Sequence, residues 1–143
     1  MTATKFYKRS TYEQFIKGWR KVLLSKAFTE EEVFRFAAIS GDKNPLHLNN
    51  DFGEASIFGQ RIVHGMLVAS LFSGLIGMKL PGEGSIYLGQ SLTFKAPVAI
   101  DEQITASVEI INIREDKPIV TLRTVCINSE GAVVIEGEAV VKV

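Results

Sequence analysis

Residues 62–80 read IVHGMLVASLFSGLIGMKL, and what surrounds this run decides the fold. It is nearly all apolar or small, and as long as the ~20 residues of a membrane span. His64, Ser70, Ser73 and Lys79 interrupt it, Gly65, Gly74 and Gly77 thin it, and no second such run accompanies it. A helix that is apolar on all sides is otherwise one surrounded by protein. The run is therefore expected as a buried central helix, beginning near Val63–Gly65 and stopped by Pro81-Gly82.

Downstream, the pattern changes to period two. Ile86 to Pro97, Gln103 to Arg114, Ile119 to Asn128 and Ala132 to Val143 read as strands. The separators Ala99-Ile100-Asp101-Glu102, Glu115-Asp116-Lys117-Pro118 and Asn128-Ser129-Glu130-Gly131 are turn chemistry, and turns this short imply antiparallel neighbours. In the last strand Ile135, Gly137, Ala139 and Val141 alternate with Val134, Glu136, Glu138 and Val140, giving one apolar face.

Upstream, Trp19 to Ala27 is a weaker strand, and residues 1–18 are expected to be a peripheral lead-in. Thr29-Glu30-Glu31-Glu32 is a capping box flanked by a Phe28–Val33 staple, so a helix starts here. Val33, Phe36, Ala37 and Ser40 form its face, and Gly41 stands where a C-cap glycine belongs. Leu48 to Gln60 reads as loop with a helical turn. With no repeat, low-complexity tract or linker, residues 1–143 are expected to be a single α+β domain, an antiparallel sheet with one buried helix.

Composition narrows the function classes. Sixteen basic residues balance sixteen acidic ones, so no global field draws nucleic acid or an anionic membrane. At 46% hydrophobic and 22% charged, the composition is that of an ordinary soluble domain. The lone Cys126 sits in a strand-like run, reads as a small core residue, and fits a reducing cytosol. No secretory signal is expected from the N-terminal residues, and the closing Val-Lys-Val is not a peroxisomal tripeptide. Two histidines without HxH or CxxC spacing give no metal expectation, Pro81-Gly82-Glu83-Gly84 lacks the GK[ST] ending of a phosphate loop, and no GxSxG elbow occurs.

Chemistry concentrates in Ser40-Gly41-Asp42-Lys43-Asn44-Pro45-Leu46-His47. Pro45 fixes its own φ and drives Asn44 out of the helical region, so the backbone from Asp42 to His47 is a shaped turn. Asp42 on its own reads equally as a turn aspartate, and His47 as a packing residue. Together they form a carboxylate and an imidazole, a side chain that exchanges protons near neutral pH, aimed at one point. Such a pair makes a water nucleophilic without a metal. Asn44 is open between a turn role and orienting that water, and His64 reads as structural or supporting. Gly65, in the first turn of the long helix, leaves its N–H accessible at an electropositive helix end; a packing glycine is the alternative.

The segment FAAISGDKNPLHLN, residues 36–49, resembles the hydratase motif of the MaoC-like (R)-specific enoyl-CoA hydratases, with no departure. IVHGMLVASLFSGLIG, LPGEGSIYLGQSLTFKAPV, REDKPIVTLRT and GEAVVKV are similar to the short bacterial members linked to polyhydroxyalkanoate synthesis, so the resemblance covers roughly residues 29–143. It implies a hot-dog fold and hydration of trans-2-enoyl-CoA to (R)-3-hydroxyacyl-CoA. Asp42 and His47 would be the catalytic dyad, and Gly65 N–H would bind the thioester carbonyl. Ser73 and Ile76 would contact the acyl chain. No cofactor is implied beyond the CoA thioester, which is substrate, and the family pairs as homodimers in the cytoplasm. A dehydratase acting on acyl carrier protein thioesters, a hot-dog thioesterase and a non-catalytic acyl-CoA-binding module are the competing readings.

Overall fold

The computed structural model describes residues 20–143. Residues 1–18 and Trp19 lie outside them. β1 (Lys21–Ala27) leads into α1 (Glu30–Ser40), followed by two short helices, α2 (Pro45–Leu48) and α3 (Asn50–Ala55), and the long α4 (Gly65–Met78). Then come β2 (Ile86–Gln90), β3 (Thr93–Phe94), β4 (Gln103–Ile113), β5 (Ile119–Asn128) and β6 (Val133–Lys142). All pairings are antiparallel, in the order β1-β4-β5-β6-β2, with β3 also on β6. This is the expected α+β arrangement, a hot-dog-like sheet with helices packed against it.

Alternation explains why β4 and β5 are strands. Ile104, Ala106, Val108 and Ile110 on β4 are buried at every second position, as are Val120, Leu122, Thr124 and Cys126 on β5. Burial pushes the Cys126 thiol up to about 12, so this side chain is an inert core group, as its strand position predicts.

α1 begins as its capping box requires. Thr29 N–H donates to Glu32 Oε1 at 3.0 Å, and Glu32 N–H to Thr29 Oγ1 at 3.2 Å. The Lys26 ammonium, 2.7 Å away, and then the Thr29 N–H hold the Glu32 carboxyl below its ordinary range. The helix ends at Gly41, whose φ of +78° lies in the left-handed region that glycine enters without strain.

One expectation holds and two change. Within residues 48–60 the expected helical turn is α3, and α2 precedes it in the turn that carries His47. Asn44 caps α2 by accepting from Leu46 N–H at 3.0 Å, and Asn49 caps α3 by accepting from Phe52 N–H at 2.9 Å. The run 86–97 is two strands, not one. At its break Ser91 N–H donates to Glu138 O and Ser91 Oγ accepts from Glu138 N–H, so a side chain stands in for a ladder group. Ser91 also crosses β6 at Gly137, where a Cβ would collide with the Ser91 carbonyl.

The second change concerns α4. It buries Val68, Ala69, Leu71, Phe72, Leu75 and Ile76, yet Met66 is 58% and Met78 81% exposed, and Ser73 and Gly74 face outward. A single sheet covers one side of a helix, so within the described chain α4 is half wrapped rather than enclosed. At 14 residues it is short of a span, and no described helix is long and apolar enough to cross a membrane.

The close approach of the Ser91 backbone at Gly137 generates a stability prediction. Gly137→Ala should destabilise the fold by about 1–3 kcal/mol, because the colliding atom is backbone and cannot swing aside. The urea midpoint should fall at an unchanged slope.

Candidate active site

The turn after α1 is built from local hydrogen bonds. Ser40 Oγ accepts from Asp42 N–H at 3.1 Å, and Asp42 Oδ1 accepts from Asn44 N–H at 3.2 Å. One carboxylate oxygen is therefore held, and the other, Oδ2, is left to face His47. Asn44 serves the turn twice, by its backbone N–H on Asp42 and its side chain on Leu46. It does not line the cavity described below.

His47 sits on α2, 8% exposed, and its ring reaches the segment that precedes α4. His47 Nδ1 lies 2.7 Å from the Ile62 carbonyl oxygen. A carbonyl only accepts, so Nδ1 carries the proton, and in the neutral imidazole Nε2 carries the lone pair. Ile62 is fixed in turn: its N–H donates to Leu46 O, it bridges to Ala99, and Val63 N–H donates to Val98 O at 2.8 Å.

Nε2 of His47 is 4.0 Å from Asp42 Oδ2, too far for a direct hydrogen bond. A water about 2.8 Å from each of these atoms would subtend roughly 90° between them, near the angle between its own O–H bonds. Both atoms accept, so one water can give a proton to each.

His64 completes the group. Its ring stacks on His47 with centroids 3.9 Å apart and planes inclined by 27°, and Phe36 meets its edge at 4.8 Å. His64 Nε2 is 3.0 Å from the Asp42 carbonyl oxygen and is therefore its N–H. Its Nδ1 is buried with no hydrogen-bond partner among the described residues. Burial pushes the His64 imidazole below its ordinary value against the pull of the Asp42 carbonyl, and His47 adds to the lowering.

Asp42, His47 and His64 present atoms within 4.8 Å of one another, a spacing that raises the question of a metal. The donor set does not suit one. An imidazole lone pair lies in its ring plane, and two ring planes stacked 3.9 Å apart and inclined by only 27° do not meet within bonding distance of both free nitrogens. An ion needs both to converge at ~2 Å.

The three residues open on a cavity of about 430 Å³ with apolar walls that include Phe58, Val68, Phe94 and Ile135. Gly65 lines it as the first residue of α4. Gly65 and Met66 have no backbone acceptor for their N–H groups among the described residues, because the bonds to His64 O begin at Leu67 and Val68. A Cβ at position 65 would stand 2.6 Å from the Phe94 ring, so any larger residue there requires that ring to move. Phe94, 50% exposed, is a site neighbour that no local pattern in the sequence marks, because only the β3–β6 pairing carries it to the helix end.

Structure thus brings Asp42, His47, Gly65 and His64 to one cavity. Ser73 and Ile76 do not line it: Ser73 is on the exposed face of α4, and Ile76 is 1% exposed in the core.

Comparison with known proteins identifies the family. The model of the MaoC like domain matches residues 13–130. The (R)-specific enoyl-CoA hydratase of Aeromonas caviae is 55% identical over 129 residues, 90% of this chain and 96% of that protein. The protein of the same description from Rhodospirillum rubrum is 45% identical over 132 residues, 92% and 91% of the two chains. The solved structure of the Aeromonas caviae (R)-hydratase, described as involved in polyhydroxyalkanoate biosynthesis, superposes with a TM-score of 0.85 at 57% identity, covering 86% of this chain and 93% of that one. A shared sheet, an intact Asp42–His47 turn and identity at this level over nine-tenths of the length place the chain in the MaoC-like family of (R)-specific enoyl-CoA hydratases.

Proposed function

We propose that this enzyme adds water reversibly to trans-2-enoyl-CoA, giving (R)-3-hydroxyacyl-CoA, with Asp42 and His47 as its catalytic dyad. The observation that carries the reading is the 4.0 Å gap between Asp42 Oδ2 and His47 Nε2, in the same cavity as the free N–H of Gly65. Water held in that gap attacks Cβ and gives one proton to the dyad. The C=C pair moves toward the thioester oxygen, and the enolate charge is met by Gly65 N–H and the electropositive end of α4. The dyad then returns a proton to Cα on the same face, so one water is added in a syn sense.

The thioester itself activates Cβ and acidifies Cα, so the reaction calls for no metal or redox cofactor. A preorganised donor of the Gly65 kind is typically worth ~10²–10³ in rate, comparable with the contribution of the dyad. The product is the hydroxyacyl thioester type that polyhydroxyalkanoate synthesis consumes, which gives the enzyme a place between fatty-acid oxidation and polymer formation in the cytoplasm.

Beyond the cavity, the acyl tail runs along the exposed face of α4, where Ser73 sets the accepted length, while Ile76 is buried in the core behind that face. Ser73 is eight residues from Gly65, about 12 Å along the helix at ~1.5 Å per residue. The exposed side of α4 also argues for a homodimer. β2 ends the sheet, with Ile86 54% and Leu88 52% exposed, and an open edge of this kind is ordinarily paired or covered. A two-fold copy would cover both features beside the cavity.

Incubation with crotonyl-CoA and hexenoyl-CoA tests the reaction. Loss of the enoyl-thioester absorbance with (R) product and no free thiol is expected; release of CoA would mean a thioesterase. Parallel assays with the carrier-protein thioesters decide which handle is preferred.

Asp42→Asn keeps the size of the side chain and removes the base, so activity should fall at least ~10²-fold with folding intact. A fully active, folded variant would remove the mechanism. His47→Ala should lose a comparable amount, and the double variant far less than the product of the two losses, because both residues act on one water. Multiplying losses would separate their roles.

Sedimentation at micromolar concentration should report twice the 15.8 kDa chain mass or a multiple of it. A monodisperse, fully active monomer would defeat the dimer.

A further inference from the structure

His64 has the wrong environment for a packing residue. An imidazole 2% exposed, with Nδ1 buried and unpartnered, carries a desolvation cost that a leucine of similar volume would avoid. Its place in the chain is equally particular. It is the N-cap of α4, yet its side chain makes no capping bond and turns instead toward Asp42, 22 residues earlier. A capping side chain would occupy the N–H groups that the helix end presents. Turning away leaves Gly65 and Met66 free to meet a ligand carbonyl.

The bond His64 makes is the long-range hold on the Asp42 backbone. Asp42 otherwise follows a left-handed glycine, its side chain is 51% exposed, and its other bonds are to Ser40 and Asn44, within two residues. His47 is tied at Nδ1 to Ile62, which fixes its ring edge but not its tilt. The His64 face at 3.9 Å limits that tilt, and Phe36 packs edge-on against His64 at 4.8 Å.

We propose that His64 is a positioning residue for the hydration step: its Nε2–H on the Asp42 carbonyl and its ring face on His47 together set the 4.0 Å spacing of Oδ2 and Nε2 that one water bridges. This rests on the Asp42–His47 reading of the site. Displacements of about an ångström in such a group cost on the order of 10²-fold in rate. The role is carried out in the neutral, Nε2-protonated form, which the carbonyl partner selects and burial favours.

Two variants and one spectrum test it. His64→Leu removes both contacts along with the orphaned nitrogen. Its kcat should fall about 100-fold, with KM little changed and the melting temperature unchanged or higher. His64→Gln, whose amide N–H replaces Nε2–H, should recover at least about tenfold of that loss. Retained kcat in His64→Leu, or loss of kcat and melting temperature together with no recovery in His64→Gln, would overturn the assignment. Imidazole ¹⁵N spectra of the unmodified enzyme at neutral pH should show His64 uncharged with its proton on Nε2; a charged or Nδ1-protonated ring overturns it even if the variants fail to fold. An active Asp42→Asn enzyme would instead defeat the dyad, with the His64 spectrum untouched.

Discussion

The 2.7 Å bond from His47 Nδ1–H to the Ile62 carbonyl joins the turn that would move protons to the segment that starts α4. Ile62 N–H on the Leu46 carbonyl and His64 Nε2–H on the Asp42 carbonyl cross the same seam, but this bond alone engages the His47 ring. With it, the carboxylate–imidazole pair and the free N–H of Gly65 belong to one frame, and the His47 tautomer is settled at the same stroke. Ile62 can bear this because its own N–H is on Leu46 and its neighbour Val63 is on Val98, so the anchor is itself anchored.

That frame depends on the core behind it. Phe72, Leu75 and Ile76 are about 1% exposed, and full burial of such side chains is worth roughly 1.5–3 kcal/mol each. They seat α4 on the sheet and so fix where its first turn points. β6 has a second job, since β3 pairs with it and brings Phe94 over Gly65. The helix end is therefore walled by an aromatic ring that excludes water on one side, and the donor acts in a less polar medium, where a hydrogen bond to developing charge counts for more.

Much of this was legible along the chain because it is governed by neighbours in sequence. The capping box at Thr29–Glu32, the glycine stop at Gly41 and the alternation through β4, β5 and β6 involve contacts within a few residues or one face of a strand. The Asn44-Pro45 step likewise announced a rigid turn with Asp42 and His47 at its ends. The helical turn expected within residues 48–60 is α3, capped by Asn49, and α2, capped by Asn44, lies in the shaped turn that carries His47. Local pattern failed at Ser91, where one hydroxyl replaced a ladder bond and split the strand.

The sequence by itself determined the kinds of element, their order, and which carboxylate and imidazole share a turn, because backbone sterics, capping and hydrophobic period act locally. Only the tertiary structure decided which nitrogen of each histidine carries its proton, since the deciding carbonyls lie 15 and 22 residues away. It alone set Gly65 against the Phe94 ring, and left one side of α4 uncovered despite its apolar composition. Those outcomes depend on which segments meet, and burial drives a helix to be covered without stating by what.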